Sequence, residues 1–495
     1  MSGSLTVIGG QSSTGGLTGL VTIPSGFTGS VLSSLQSLLI SASGAVSANA
    51  ANFEKLDVAG QSGAQSATVG SFSTGVLVLA NSDSTNASTA GSANVSLNVP
   101  TGYNTLIVEA PGSETISGNG ASNFLGIFGA NSTVNFTGGG SGSIFGGGPG
   151  DFLEMNGGSW SVFGSSSGDE TVNVGANNIF VSVSGAGNAT GNEEDTASAH
   201  SNVVGLSGAN ATVSSNGTND LIASYGGSAD IVSVNGSAAV LITGGSDTVY
   251  ATAASTAAKA FFSSQTAGGT IDFINMSTTA ASVLGSSFTN AAAGSATIFG
   301  GAGGGYYQGG NGGNNSLVGG TGAVTLIAAG IGNMLSAAGG SNDALFAVAG
   351  GSATMIAGAG TSNVNLVGAY GDNDSILSSG SGYQAFFIGA DSSETLTGSM
   401  AASSNSYLLF QNTGSLSGGL DVITNFRYGT DHLFINPTGY AQSQSGVSIA
   451  AFDPISGSQS GTLLQLNNGT LIKLLGVSLT GAEQSSILSG GGITI

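Results

Sequence analysis

The chain of 495 residues has no cysteine, six prolines, one tryptophan, two histidines and only four lysines and arginines together. Without cysteine there are no disulfides and no thiolate metal sites, a composition compatible with an extracellular bacterial protein that folds without oxidation. The four basic residues, Lys55, Lys259, Arg427 and Lys473, stand far apart, so no basic patch exists to hold phosphates. Nucleic acid is therefore not expected as a partner. Charged residues make up 6% of the chain, too few for the solvated faces of helices. No apolar run approaches the length of a membrane span, so none is expected. Met1 to Gly10 has neither a basic n-region nor an apolar h-region, so an N-terminal signal peptide is not expected either. Collagen is excluded because glycine does not recur at every third position and proline is scarce.

What remains is glycine, at 88 residues, and short apolar runs within a 40% hydrophobic composition. From residue 300 the glycines fall into rhythm, at Gly300-Gly301, Gly309-Gly310, Gly319-Gly320, Gly330, Gly339-Gly340, Gly350-Gly351, Gly358 and Gly368. Runs such as Ala323 to Ile327, Ala344 to Val348, Ala353 to Ile356 and Val364 to Val367 lie between them, each too short for a helix. Strand, turn, strand, turn is the coil of a β-solenoid, with two steps making a coil of about twenty residues. Glycine suits the corners because it adopts positive φ without a Cβ clash. The expected fold is all-β, a parallel β-solenoid of β-roll or β-helix type. A β-rich cap or small domain is expected over 1–110, repeats over 111–400, and a β-sandwich-like C-terminal cap over 401–495. Within the first region, Ser33 to Leu39 has the pattern of a short helix. Near the end, Leu463 to Leu466 and Leu471 to Leu475 read as a hairpin turning at Asn468-Gly469.

Several corners carry a carboxylate just before an apolar strand: Asp151, Asp169, Asp220, Asp247, Asp343, and the pair Asp372 and Asp374. Calcium takes six to eight oxygens, and a glycine-rich corner exposes carbonyls beside the carboxylate. These seven are the candidate calcium ligands. The alternative for each is a turn-forming Asp bonded to its own backbone. Asn192 to Asp195 is the densest acidic run, read as a cation site or a solvated loop. His200 and His432 are the only histidines, and His432 is read as a strand residue. Trp160, Tyr306 and Tyr307 are read as core or coil-face residues, with sugar stacking as the other use.

The corners resemble degenerate copies of the repeats-in-toxin nonapeptide, Gly-Gly-x-Gly-x-Asp-x-apolar-x, as in Gly309-Gly310-Asn311-Gly312-Gly313-Asn314-Asn315-Ser316-Leu317. The segment Asp421-Val422-Ile423-Thr424-Asn425-Phe426-Arg427-Tyr428-Gly429-Thr430-Asp431-His432-Leu433 is similar to the one that follows such repeats in type I secreted bacterial proteins, with Asn425 where Asp is usual. The resemblance implies calcium-loaded β-rolls, export by type I secretion machinery through an uncleaved C-terminal signal, and folding outside the cell or at its surface.

The reading of function is an extracellular structural protein that self-assembles into a surface layer or matrix filament, with calcium aiding folding or assembly. A homo-oligomer is expected, and cell-surface polysaccharide is a further possible partner. A monomeric glycan-binding adhesin is the alternative. A polysaccharide-active β-helix enzyme is the remaining one, disfavoured because so few basic residues and histidines exist to build its site.

Overall fold

The computed structural model describes the strands between residues 4 and 242, with side chains at 33, 37, 115–117, 132–135, 142–144, 152, 213–215, 220–224 and 230–242. Beyond these it describes 245–262, 270–284, 295–310, 312–348, 352–368, 373–389, 393–410, 419–435, 449–455, 460–466 and 469–484. The chain forms two compact units, Met1–Thr248 and Val249–Ile495.

The first unit opens on an antiparallel pair, Ser4–Ser12 with Gly15–Thr22. Of the expected short helix, Ser33 and Ser37 are helical, and the Ser37 hydroxyl donates to the Ser33 carbonyl at 2.9 Å. Parallel pairing starts with Phe53–Asp57 on Gly75–Ala80 and Gly63–Thr68 on Ala93–Val99, well before residue 110. Alternate strands then belong to alternate sheets. Ile116, Val134, Leu153 and Val172 occupy successive rungs of one sheet, 18 or 19 residues apart. That is the expected coil length.

The second unit repeats this plan in about eight turns. Sheet 1 runs from Thr270–Asn275 through Ser295–Phe299, Ser316–Gly319, Asn333–Ala337, Ala353–Ala357, Ser375–Ser378 and Thr395–Thr397 to Leu420–Thr424. Sheet 2 runs from Ala257–Phe262 to His432–Ile435 in the same manner. Ile298, Leu317, Leu335, Met355, Ile376 and Leu396 form a fully enclosed column on sheet 1, at steps of 18 to 21 residues. Leu326, Leu345, Leu366, Phe386, Tyr407 and Leu433 form the facing column on sheet 2. Period-2 alternation makes this possible, because each strand sends every second side chain inward. Each such Leu or Ile contributes about 1.5–3 kcal/mol of burial, the main force holding coil on coil.

Corners use positive φ where the chain must fold against its neighbour. Gly304 has φ +75°, and a Cβ there would collide with the Ala323 carbonyl of the next coil. Asn314, Asn342, Asn363 and Asn425 hold φ between 52° and 63°, the left-handed conformation that asparagine tolerates best among non-glycine residues.

The coil register does not stop at residue 400. Asp421 to Leu433, the segment similar to type I secreted proteins, forms the last described coil. The expected hairpin is present: Gly461–Leu466 pairs antiparallel with Leu471–Leu475, and Gly469 turns at φ +91°. It joins the end of sheet 1. Leu471–Leu475 adds in parallel to Leu420–Thr424, and Ile449–Ile455 then closes sheet 1 as its last strand. Pro454 lies in that edge strand, where no neighbour asks for its missing N–H. Thr480 caps a short helical turn at 481–484, its N–H donating to the Glu483 carboxylate at 2.6 Å. That bond holds the exposed Glu483 carboxyl below its ordinary value.

Candidate functional site: a ladder of buried carboxylates

The expected ligands Asp220, Asp247, Asp343 and Asp374 are all at most 2% exposed. Each sits two residues before an inward apolar residue, as in Asp343-Ala344-Leu345 and Asp374-Ser375-Ile376. Two residues along a strand is one full period, so the carboxylate shares the inward face with the core.

There the oxygens meet backbone N–H groups of the neighbouring coil. Asp374 Oδ1 accepts from Ala353 N–H at 2.7 Å, Glu394 Oε2 from Asp374 N–H at 2.6 Å, and Asp421 Oδ1 from Glu394 N–H at 3.3 Å. Asp343 Oδ1 accepts from Val324 N–H at 2.9 Å. In the first unit, Asp247 Oδ1 accepts from Asp230 N–H at 3.0 Å, and Asp230 Oδ2 from the Ser224 hydroxyl at 2.7 Å. The Ser215 hydroxyl donates to Asp220. Asparagines serve the same rungs without charge. Asn315 Oδ1 accepts from Ala296 N–H at 2.9 Å, and Asn333 Oδ1 accepts from Asn315 N–H at 3.1 Å. The ladder satisfies N–H groups that strand pairing leaves over where each strand begins, groups that would otherwise be buried at a cost of about 1–3 kcal/mol each.

Burial pushes the Asp247 carboxyl up from 3.8 to about 6, opposed by the bond from Asp230 N–H and aided by the nearby Asp230 charge. Burial also raises Asp343, against the bonds it accepts from Val324 and Gly340 N–H. The second oxygens of Asp247 and Asp343 have no hydrogen-bond partner among the described residues.

The last coil adds an ion pair. Arg427 NH2 lies 2.7 Å from Asp431 Oδ1, and Arg427 NH1 donates to the Ala402 carbonyl at 2.9 Å. Asp431 Oδ1 also accepts from Asn405 N–H at 2.8 Å, which makes it the ladder rung on sheet 2. Asn425 donates its amide to the Gly398 carbonyl at 3.2 Å, a bond an Asp could not make.

Among the expected residues, Asp151, Asp169, Asp372, Asp195 and His200 lie outside the described residues, as does the Trp160 side chain. The structure does not gather the described candidates together: they occupy separate rungs, and among the described residues no three acidic or histidine side chains converge. His432 is an exposed strand residue, as expected. Tyr306 is 37% exposed whereas Tyr307 is fully enclosed, its hydroxyl donating to the Gly304 carbonyl at 2.9 Å. Sequence reasoning passed over Asp230, Glu394, Asp421, Asn315 and Asn333 as rungs. Their signal was the position two before an inward apolar residue. Among the described residues no helix is long and apolar enough to cross a membrane. No known protein family, no curated protein and no solved structure matches the chain.

Proposed function

We propose that this is an extracellular structural protein whose solenoid associates with further copies of itself into a surface layer or filament. The observation that carries this reading is the outer face of sheet 1, where strand after strand from Ser295–Phe299 to Leu420–Thr424 presents no charged side chain. On a chain of net charge −21, copies meet with least repulsion on such a face. The use of the buried ladder carboxylates as acceptors inside the coils supports the same reading, because it commits them to holding coils together. Calcium enters as the counter-charge that lets acidic copies approach. Export by type I machinery rests on the resemblance of 421–433 and of the hairpin beyond it.

Negative-stain electron microscopy of the purified chain, with calcium and again with chelator, tests the proposal. Ordered sheets or filaments that form with calcium and disperse with chelator are expected. Isolated particles under both conditions would refute self-assembly. Glycan binding is the second reading, favoured by the exposed rings of Tyr306 and Tyr383 on sheet 2, and glycan-array binding by isolated particles would establish it.

A further inference from the structure

From Thr270–Asn275, which follows Ser246–Ala251 in the same sheet, to Leu471–Leu475, the outer face of sheet 1 has its charges at the first and last rungs only. Rung by rung, one outward column starts at Asp272 and passes through Thr297, Ser316, Met334 and Thr354. It continues through successive coils to Val422 and ends the parallel run at Lys473. Asp272 is exposed and Lys473 half-buried. The seven strands between them offer hydroxyls and apolar groups, with Phe299, Met334 and Leu377 exposed by 46%, 39% and 42%. The central rung, four steps from either charge, is Thr354 with Ile356 beside it.

This arrangement is self-complementary. Let a two-fold axis run along the strand Ala353–Ala357, with two copies face to face. Thr354 then meets Thr354, coil order reverses between the copies, and Asp272 of each copy falls opposite Lys473 of the other. We infer that sheet 1 is an isologous interface between two copies of this chain, with its register set by two Asp272–Lys473 ion pairs. The inference rests on the self-association proposed above and names the surface that carries it.

The dimensions agree. Nine strands about 4.8 Å apart span about 43 Å, and four residues along a strand about 13 Å. Two such faces bury about 1,100 Å², just above the roughly 1,000 Å² expected of a specific contact. Beyond Lys473 the sheet continues to Leu463 and Asp453, outside the paired rungs, and Gln465 donates to the Asp453 carboxylate. Sheet 2 is the poorer candidate, because its outward residues Ala385, Ser406 and Leu408 are already buried within the chain.

The test is sedimentation velocity of the full chain across a concentration series, with far-UV circular dichroism and Tm as controls for folding. Lys473→Asp sets like charges opposite each other at both ends and is expected to weaken pairing at least tenfold. The double variant Asp272→Lys with Lys473→Asp restores the opposition of charges and is expected to restore pairing. Thr354→Arg, at an exposed position, places two cations on the axis and is expected to weaken pairing independently. Undiminished association in Lys473→Asp and Thr354→Arg, both folded, would overturn this interface and leave self-association standing on another surface. A wild-type chain that stays monomeric throughout would overturn both.

Discussion

A carboxylate two residues before a core aliphatic side chain shares the inward face of its strand, and that spacing places Asp247 before Val249 and Asp343 before Leu345. Glycine followed by Asp reads as a turn in sequence, and turns are solvent-facing by habit. The period of the strand already begins at the Asp, however, and turns it inward. Asp247-Thr248-Val249 and Asp220-Leu221-Ile222 contain this information in full. What they do not contain is which N–H the oxygen meets, because that group comes from another coil. The pH dependence follows from the raised value of Asp247. The folded chain holds this proton more tightly than the unfolded chain does. Its stabilising contribution is therefore complete below about 3.8 and is lost as pH climbs through about 6. Asp247→Asn keeps an acceptor for Asp230 N–H and carries no charge near the Asp230 carboxylate. At pH 7 it is expected to stabilise the first unit by on the order of 1–3 kcal/mol and to flatten the stability profile between pH 4 and 6. Urea titrations at several pH values check both. Asp343→Ala removes the acceptor of Val324 N–H and is expected to cost about 2–4 kcal/mol, with Asp343→Asn largely sparing it.

At the scale of one coil, the segment from Asp421 to Leu433 is tied to the coil before it through Arg427. The guanidinium pairs with the fully buried Asp431 and ties the coil back to the Ala402 carbonyl. The Tyr407 ring lies beneath, 4.7 Å from Phe386 and 5.8 Å from Phe426, between centroids. Arg427→Ala leaves a buried carboxylate with N–H donors but no counter-charge, expected to cost about 2–4 kcal/mol. Hydrogen exchange should quicken in 402–435 and stay slow in Val324–Ala329, since solenoid coils support chiefly their neighbours. Arg427→Lys should recover only part of the loss, because an ammonium cannot span Asp431 and Ala402 together. This coil was legible as a motif before its geometry was known. Its role as a further solenoid turn was not, because its steps of 27 residues on sheet 1 and 26 on sheet 2 break the rhythm of about twenty that marks the coils before it.

At the scale of the whole chain, glycine rhythm was enough to give strand order and coil length, because corners dictate both. The reach of the solenoid toward Phe53 was not legible: the glycines of that stretch keep no regular spacing, and only the pairing of Phe53–Asp57 with Gly75–Ala80 identifies it. The same distinction governs calcium. A chain of −21 gains stability from any divalent cation that screens it, whereas a built calcium site discriminates against magnesium through its larger coordination number. Each described candidate carboxylate has one oxygen engaged by an N–H group or hydroxyl inside the coils, which a bound cation would have to share. Calcium and magnesium at equal millimolar concentration are therefore expected to raise Tm by similar amounts, and both effects should shrink as monovalent salt rises. Differential scanning calorimetry of the chelator-treated chain decides the matter. A rise with calcium alone, persisting in high salt, would establish a specific calcium site, and screening would no longer account for how this acidic chain comes together.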